Sequence, residues 1–448
     1  MHKDIDLIHG RPGKAMFFFA LPMIFGNLFQ QFYNMADSVI VGRFVGENAL
    51  AAVGASYALT TVFIMIAIGG GIGTSVLVSQ YYGAQKYGAM KTAIRTFLVA
   101  FLVFSIALAC IGFAVNPLIL KALKTPQEIL GEAVLYLQIY FAGLPFMFMY
   151  NVLAANFNAL GKSKIPLYLL IFSSALNIVL DIGLVVLFDM GVEGVAIATV
   201  VAQGVSCLIS LMILIRYLKQ FEVQDENVKN FDKGMLVKGV QIAIPSIVQQ
   251  SIVSIGILLT QSAVNQFGAS ALAGYSAGAR LENISVVPMI AIGNAMSTYT
   301  AQNLGAGKKE RIRQGHHAAL RMVIGFGVII FALTQMLGKT LIAAFVDVDS
   351  SPLAFQTGLD YIRFICIFYI VLGFKTTTDG ILRGSGDAKV YMIANLVNLT
   401  IRVSVAQLAT PYWGIETVWC VVPVGWLVNF TISYLWYRTG HWKKKSLV

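Results

Sequence analysis

Residues 80–86 read Gln-Tyr-Tyr-Gly-Ala-Gln-Lys, and residues 302–308 read Gln-Asn-Leu-Gly-Ala-Gly-Lys. An offset of 221 to 223 residues also links four further pairs of motifs: Ala20-Leu21-Pro22 with Ala243-Ile244-Pro245, Gly46-x-x-Ala49-Leu50-Ala51 with Gly268-x-x-Ala271-Leu272-Ala273, Asn177-x-x-x-Asp181 with Asn398-x-x-x-Arg402, and Gly191-Val-Glu193 with Gly414-Ile-Glu416. A near-constant offset over this distance indicates a duplicated half. Two copies of one bundle predict a cavity between them, a design shared by many transporters.

The composition indicates a membrane protein. The chain is 57% apolar and 12% charged, with a mean hydropathy of +0.75. Apolar stretches long enough to span a bilayer recur twelve times, six in each repeat, and they lack the alternation of barrel strands. We therefore predict an all-α fold with transmembrane helices at about 15–44, 52–82, 90–116, 132–160, 165–187, 192–217, 240–267, 272–302, 314–338, 355–382, 388–410 and 414–437.

The net charge of +11 reflects membrane topology rather than nucleic-acid binding. Most of the 32 Lys and Arg residues fall in loops that lie on one side of the membrane if the N-terminus is cytoplasmic. The positive-inside rule then predicts that both termini are cytoplasmic, in a multi-pass protein of the inner or plasma membrane. The first apolar run is too long and too polar to be a cleavable signal.

The duplication and one polar stretch predict the domain organisation. Residues 1–218 form an N-terminal six-helix lobe, 219–238 a cytoplasmic linker, and 239–448 a C-terminal six-helix lobe. Pro22 and Pro245 occupy equivalent positions in the first helix of each half, and each removes a helix hydrogen bond. We expect the two lobes to move as near-rigid bodies about these prolines and the linker.

Ionisable residues inside membrane spans are functional candidates because charge in a bilayer is expensive. Asp37 lies about seven residues from the outer end of helix 1, roughly 10 Å deep, and Asp181 lies at a similar depth in helix 5. Asn34 and Asn177 precede them by three and four residues, so each carboxylate shares a helix face with an amide. Together they predict a proton or Na⁺ site in the N-terminal lobe, with Asp37 and Asp181 as metal ligands if the ion is Na⁺. The alternative is that each acid braces a neighbouring helix.

Other polar residues within the spans have competing interpretations. Arg280 in helix 8 either offsets an acid of the N-terminal lobe or pairs within its own lobe with Glu282 or Glu416. Lys375 and Asp379 stand at i, i+4 and predict a mutual structural pair. The Gly69–Gly73 run lacks the Lys-Ser/Thr of a phosphate loop, and its spacing favours close helix packing. No cofactor motif and no catalytic cluster is visible, which argues against an enzyme.

The motifs together resemble the multidrug and toxic compound extrusion family over about residues 11–437. The resemblance rests on Leu21-Pro22, Tyr33-Asn34-x-x-Asp37-x-x-x-Val41-Gly42, Gly46-x-x-Ala49-Leu50-Ala51-Ala52, Asn177-x-x-x-Asp181, Gln302-Asn303-Leu304-Gly305-Ala306-Gly307 and Leu382-Arg383-Gly384-x-Gly386-Asp387. It implies two six-helix lobes in a V shape around a central cleft lined by helices 1, 2, 7 and 8. It also implies export of cationic, often aromatic compounds in exchange for H⁺ or Na⁺. Asp37 and Asp181 match the acids of the branch whose cation site is in the N-terminal lobe, and Arg280 matches a basic residue found in part of that branch.

The predicted substrate pocket is apolar and lined by amides, because thioethers and aromatic faces accept diverse flat cations. We assign to it Phe29, Gln30, Tyr33, Met65, Gln249, Tyr275, Arg280, Met289 and Met296. For each Met or aromatic residue taken singly, packing in the helix core is the competing interpretation. The expected partners are small organic cations and membrane lipids, the expected state is a monomer, and no cofactor besides the coupling ion is expected. The competing functions are a flippase for a lipid-linked saccharide, an exporter of an endogenous metabolite, and a membrane-embedded enzyme or channel.

Overall fold

The computed structural model describes residues 6–123, 125–221, 228–349 and 351–448, except for the side chains of residues 36–38, 47 and 58. Across these ranges the chain is helical and contains no strand. The α-helices are α1 (Pro12–Ile40), α2 (Glu47–Gly83), α3 (Tyr87–Ala122), α4 (Gln127–Ala159), α5 (Lys164–Ile182), α6 (Val192–Leu218), α7 (Lys233–Asn265), α8 (Ala269–Ser285), α9 (Val287–Gly305), α10 (Lys309–Ala343), α11 (Pro352–Ile365), α12 (Tyr369–Ser385), α13 (Ala388–Trp413) and α14 (Glu416–Thr439).

The twelve predicted stretches all fall on helices, but two of them are interrupted. The predicted helix 272–302 is broken at Val286 into α8 and α9. Pro288 stands in the first turn of α9, where a residue without an N–H is tolerated, and it cannot complete the hydrogen bond that would continue α8. The predicted helix 355–382 contains a 3₁₀ turn at Cys366–Phe368. Eleven segments of the described chain are long and apolar enough to cross a membrane.

Short π-helical segments extend α1 and α5, the helices that carry the two predicted coupling acids. They cover Val41–Val45 and Gly183–Leu187. The Val41 and Val185 side chains, one from each segment, are buried in one apolar cluster with Val192 and Val195 of α6. Single π turns inside helices are often found at functional sites. Here they place a locally widened backbone just beyond position 37 and Asp181.

The chain forms two compact units, and each unit is continued by a piece of the other half of the sequence. Unit 1 comprises Met1–Ile24 and Val248–Val448, and unit 2 comprises Phe25–Ile247. The divisions fall inside α1 and α7, two residues beyond Pro22 and Pro245. The first part of α1, up to Ile24, therefore belongs to unit 1, and the first part of α7, up to Ile247, belongs to unit 2. The predicted division of the sequence into lobes 1–218 and 239–448, joined by the linker 219–238, stays a prediction.

Unit 2 packs α2 closely against the first half of α7 through the glycine run. A Cβ at Gly73 would lie 2.5 Å from the Gly239 carbonyl oxygen and 2.8 Å from the Ala243 Cβ. A Cβ at Gly69 would lie 2.7 Å from the Ile247 backbone. The spacing of these glycines thus serves helix contact, as the sequence predicts.

Unit 1 uses glycines in the same way at two contacts. At the first, α9 meets α12, where a Cβ at Gly293 would lie 2.7 Å from the Thr376 carbonyl oxygen. At the second, α8 meets α11, where a Cβ at Gly358 would lie 2.8 Å from the Gly274 carbonyl oxygen. Because the backbones approach so closely, side chains that flank these contacts are enclosed between helices.

Candidate functional site

Asp181 lies in the last turn of α5, in the interior of unit 2. Its side chain has 0% relative exposure. The other predicted coupling acid, Asp37, lies three residues before the end of α1, and its side chain falls outside the described part of the chain. The structure therefore describes the surroundings of Asp181 and only the backbone position of Asp37.

The Asn177 amide connects Asp181 to α1 and α6. Asn177 is 2% exposed, and its terminal atoms lie within hydrogen-bond distance of Tyr33 on α1 and Thr199 on α6. Because position 37 is one helical turn beyond Tyr33, both predicted acids belong to helices that meet at this amide. The structure thus brings Tyr33, Asn177, Asp181 and Thr199 into one polar cluster around the buried Asn177 and Asp181, which we call the Asn177 cluster.

Both orientations of the Asn177 amide have hydrogen-bond partners, and they suit different states of the acid. In one, Asn177 Oδ1 accepts from Tyr33 Oη at 2.6 Å and Nδ2 donates to Thr199 Oγ1 at 3.4 Å. In the other, the nitrogen donates to Asp181 Oδ2 at 3.1 Å, and the oxygen accepts from the Thr199 backbone N–H at 3.1 Å. An ionised carboxylate accepts only, so it favours the second orientation, whereas a protonated acid can donate to the oxygen of the first.

Asn34, the fourth predicted coupling residue, takes part in a different contact. Its Oδ1 accepts a hydrogen bond from Gln30 Nε2 at 3.0 Å, one turn earlier on α1. Asn34 is exposed, unlike Asn177. The two predicted acid–amide pairs are therefore not equivalent in their surroundings.

The residues predicted to line the substrate pocket divide by exposure. Five are partly exposed: Phe29, Gln30, Tyr33 and Met65 in unit 2, and Gln249 in unit 1. Arg280 is exposed on α8, and across the described residues it forms no salt bridge with Glu282 or Glu416.

Three predicted pocket residues lie in the core of unit 1. Met289 and Met296 are both 0% exposed, and they pack at the α9–α12 contact. A Cβ at Gly373 would lie 2.9 Å from Met289 Sδ. Tyr275 is 5% exposed, with its ring 5.0 Å from that of Tyr361. Their burial agrees with packing, the alternative that the sequence leaves open for Met and aromatic residues, and their place in the pocket stays a prediction.

Lys375 and Asp379 form the pair that their spacing predicts. Lys375 Nζ lies 3.5 Å from Asp379 Oδ2 and donates to Asn395 Oδ1 at 2.8 Å. Ser433 Oγ donates to Asp379 Oδ1 at 2.6 Å, and Asn395 Nδ2 donates to Asp379 Oδ2 at 3.3 Å. A buried charge pair with these additional hydrogen bonds is well satisfied, so it ties α12 to α13 and α14.

Thr199 belongs to the site but carries no signal in the sequence. Threonine in a membrane helix commonly bonds a carbonyl of its own helix, so nothing sets position 199 apart from other hydroxyl residues. No group of three or more His, Cys, Asp or Glu side chains suited to a metal is found among the residues searched, which do not include the Asp37 side chain.

Comparisons with known proteins agree with this architecture. The MatE family model matches residues 22–182 and 245–408. "Probable multidrug resistance protein YpnP" of Bacillus subtilis is 29% identical over 447 residues, which cover 99% of each chain. "Probable multidrug resistance protein YoeA" of the same organism is 27% identical over 444 residues, 97% of this chain and 95% of the relative. A crystal structure of MATE in complex with MaD3S superposes with a TM-score of 0.90 at 22% identity, covering 99% of this chain and 100% of that one. The chain belongs to the MatE family of multi-pass membrane transporters and is not an enzyme.

Proposed function

We propose that this protein is a secondary active multidrug efflux antiporter that exports cationic or aromatic compounds in exchange for H⁺ or Na⁺. Asp37 and Asp181 are its coupling carboxylates. The observation that carries the proposal is the Asn177 cluster, in which a fully buried aspartate borders an amide and a hydroxyl. Relatives named multidrug resistance proteins support the substrate class.

The burial of Asp181 supports a coupling role because an ionised carboxylate within a membrane protein is expensive unless a cation or hydrogen bonds stabilise it. A bound proton or Na⁺ removes that charge. In the proposed cycle, cation loading of Asp37 and Asp181 allows α1 to repack and release the drug outward. Loss of the cation on the inner side resets the site.

The coupling ion is H⁺ or Na⁺, and the Asn177 amide can serve either. A proton on Asp181 can be donated to the amide oxygen in one orientation, whereas Na⁺ prefers oxygen ligands and would draw on the carboxylates and the same amide oxygen. Drug and cation compete, so each must weaken the binding of the other by the same factor.

The substrate contacts that we propose in unit 2 are Phe29, Gln30, Tyr33 and Met65. They combine aromatic, thioether and amide groups and are partly exposed, as contacts for flat organic cations require. Gln249 is the corresponding proposed contact in unit 1. We further propose that the protein works as a monomer among membrane lipids, in the inner or plasma membrane, with both termini cytoplasmic.

Uptake of a fluorescent organic cation into proteoliposomes under an imposed pH or Na⁺ gradient tests the proposal. An antiporter moves the dye against its gradient only while the ion gradient persists, and an ionophore abolishes the movement. A flippase leaves the dye where it is but translocates a labelled lipid-linked saccharide, and a channel only equilibrates the dye. Either of the last two results contradicts the proposal.

A further inference from the structure

Unit 1 contains a partly buried acid, Glu282, that is not one of the predicted coupling residues. Glu282 lies on α8, thirteen residues beyond Ala269, which places it about 20 Å along the helix from its first residue. Its carboxylate accepts a hydrogen bond from Tyr361 Oη on α11. Tyr361 is 1% exposed and Glu282 is partly buried, so the donor of this contact is shielded from water.

Glycines on α8 make this contact possible. A Cβ at Gly278, one turn before Glu282, would lie 2.6 Å from Tyr361 Cδ1. The absence of a side chain at Gly278 therefore lets the Tyr361 ring approach the backbone of α8 closely, one turn before the carboxylate that its hydroxyl contacts. Tilted ring contacts with Tyr275 and Trp419, at centroid distances of 5.0 Å and 5.8 Å, also hold the Tyr361 ring in place.

A positive charge lies near the carboxylate without forming an ion pair with it. Arg402 on α13 acts electrostatically on both Glu282 and Tyr275. No Glu282–Arg402 salt bridge within 4.0 Å occurs among the described residues, and Arg402 Nε is buried with no hydrogen-bond partner there. Tyr275, Tyr361, Tyr369 and Arg402 all interact electrostatically with Glu282.

Comparison of the duplicated halves shows that the acid at position 282 has no acidic counterpart in the first half. With an offset of 221 or 222, Tyr361 corresponds to Tyr140 and Glu282 to Thr60. Tyr140 Oη donates to Met147 Sδ at 3.2 Å and lies 3.5 Å from the Thr60 backbone carbonyl oxygen, so it contacts no acid there. Likewise Asp181 of unit 2 corresponds to Arg402. The tyrosine is common to the two halves, but the acid stands on the second helix of one half and on the fifth helix of the other.

We propose that Glu282 is a second proton-binding site, in which Tyr361 is the fixed hydrogen-bond donor and Arg402 is the charge that stabilises the deprotonated form. A protonated Glu282 is neutral and keeps its bond to Tyr361, as in the present arrangement. When the proton leaves, the carboxylate and the guanidinium attract each other in a medium of low dielectric constant and approach. This site goes beyond the proposed function, whose coupling acids both lie in unit 2, and it does not depend on it.

Infrared difference spectroscopy of the purified protein, titrated from about pH 9 to about pH 5, detects such a site directly. Protonation of a carboxylate produces a carboxylic acid C=O band. We expect a component of this band to be lost in Glu282→Gln and to remain in Asp181→Asn. In Tyr361→Phe the component should move to higher frequency, because the carbonyl loses its hydrogen bond. Glu193→Gln, in the first turn of α6, is the matched control and should leave the component unchanged.

The proposal is overturned if Glu282→Gln, folded as judged by circular dichroism and gel filtration, retains every component of the band. It is also overturned if Tyr361→Phe changes no frequency. If Asp181→Asn alone removes the whole band, Glu282 binds no proton in this range while the proposed coupling role of Asp181 stands. If Glu282→Gln removes its component but transport persists under a proton gradient, the site exists and is separate from coupling.

Discussion

At the scale of residues, the account depends on the chemistry of Asp181 and its neighbours. Asn177 and Asp181 could be paired from the sequence because i, i+4 residues share a helix face whatever the tertiary structure. Tyr33 and Thr199 come from two other helices, so only the fold reveals that they complete the cluster. The amide orientation that matches each protonation state is likewise a property of the three-helix contact.

Replacing either coupling acid by its amide should abolish gradient-driven export. Asp181→Asn and Asp37→Asn keep the side-chain shape but can neither bind a proton nor balance a cation, so dye export should fall to the level of protein-free vesicles. Asp189→Asn is a suitable control, because Asp189 is exposed and its φ of 52° is one that asparagine tolerates. Normal export by Asp181→Asn at matched expression would exclude it as a coupling residue.

The buried and the partly exposed pocket candidates should respond differently to truncation. Tyr33→Ala and Gln30→Ala should change which drugs are exported while leaving the yield of protein unchanged. Met289→Ala should instead leave a cavity at the α9–α12 contact and lower the unfolding free energy by about 2 kcal/mol with the drug profile unaltered. Efflux of a panel of cations and thermal unfolding in detergent separate these effects. A changed drug profile in Met289→Ala would instead support Met289 as a substrate contact.

At the scale of elements, the start of α7 is marked by a capping aspartate, which the periodicity of apolar residues does not reveal. The apolar pattern predicts a helix from about residue 240, but α7 begins at Lys233. Asp232 Oδ1 accepts from the Met235 backbone N–H at 2.9 Å, and the Asp232 backbone N–H donates to Thr96 Oγ1 at 2.9 Å. An aspartate at a helix start satisfies a free backbone donor, so a polar first turn extends the apolar helix into the predicted linker.

The Asp232 cap should make stability depend on pH. The Met235 N–H holds the pKa of Asp232 below its usual value, so the cap stabilises the fold above the unfolded-state pKa of about 4 and is lost as pH falls through the folded-state value. Asp232→Ala should therefore unfold at a lower temperature than the wild type at neutral pH. The difference should shrink below about pH 4, where the wild type loses the cap as well. A difference that is constant with pH would show that the carboxylate does not act through its charge.

The sequence predicts one helix over 272–302, where the structure has two, α8 and α9. Pro288 is visible in the predicted span 272–302, yet a proline that kinks one helix and a proline that begins a new one look the same in the sequence. The backbone at Val286 is set by how α8 packs on α11 and α9 on α12. These contacts depend on glycines from distant parts of the chain.

At the scale of the whole molecule, the duplication made the fold predictable. A near-constant offset and twelve apolar stretches are sufficient for an all-helical protein with two related halves, and the MatE family match confirms that class. The duplication does not say that the compact units divide within α1 and α7, because the contacts of each helix segment are decided by packing. Nor does it locate Glu282, since its counterpart in the other half is a threonine.

The central claim is that drug and coupling cation compete through Asp37 and Asp181. The most direct test is to measure the affinity of the purified protein for a fluorescent drug from about pH 5 to about pH 8, with and without Na⁺. We predict that affinity falls at low pH or with added Na⁺ in the wild type, and that the Asp37→Asn/Asp181→Asn double variant is insensitive to both. Wild-type affinity that is independent of both ions, or equal sensitivity in the double variant, would contradict the account.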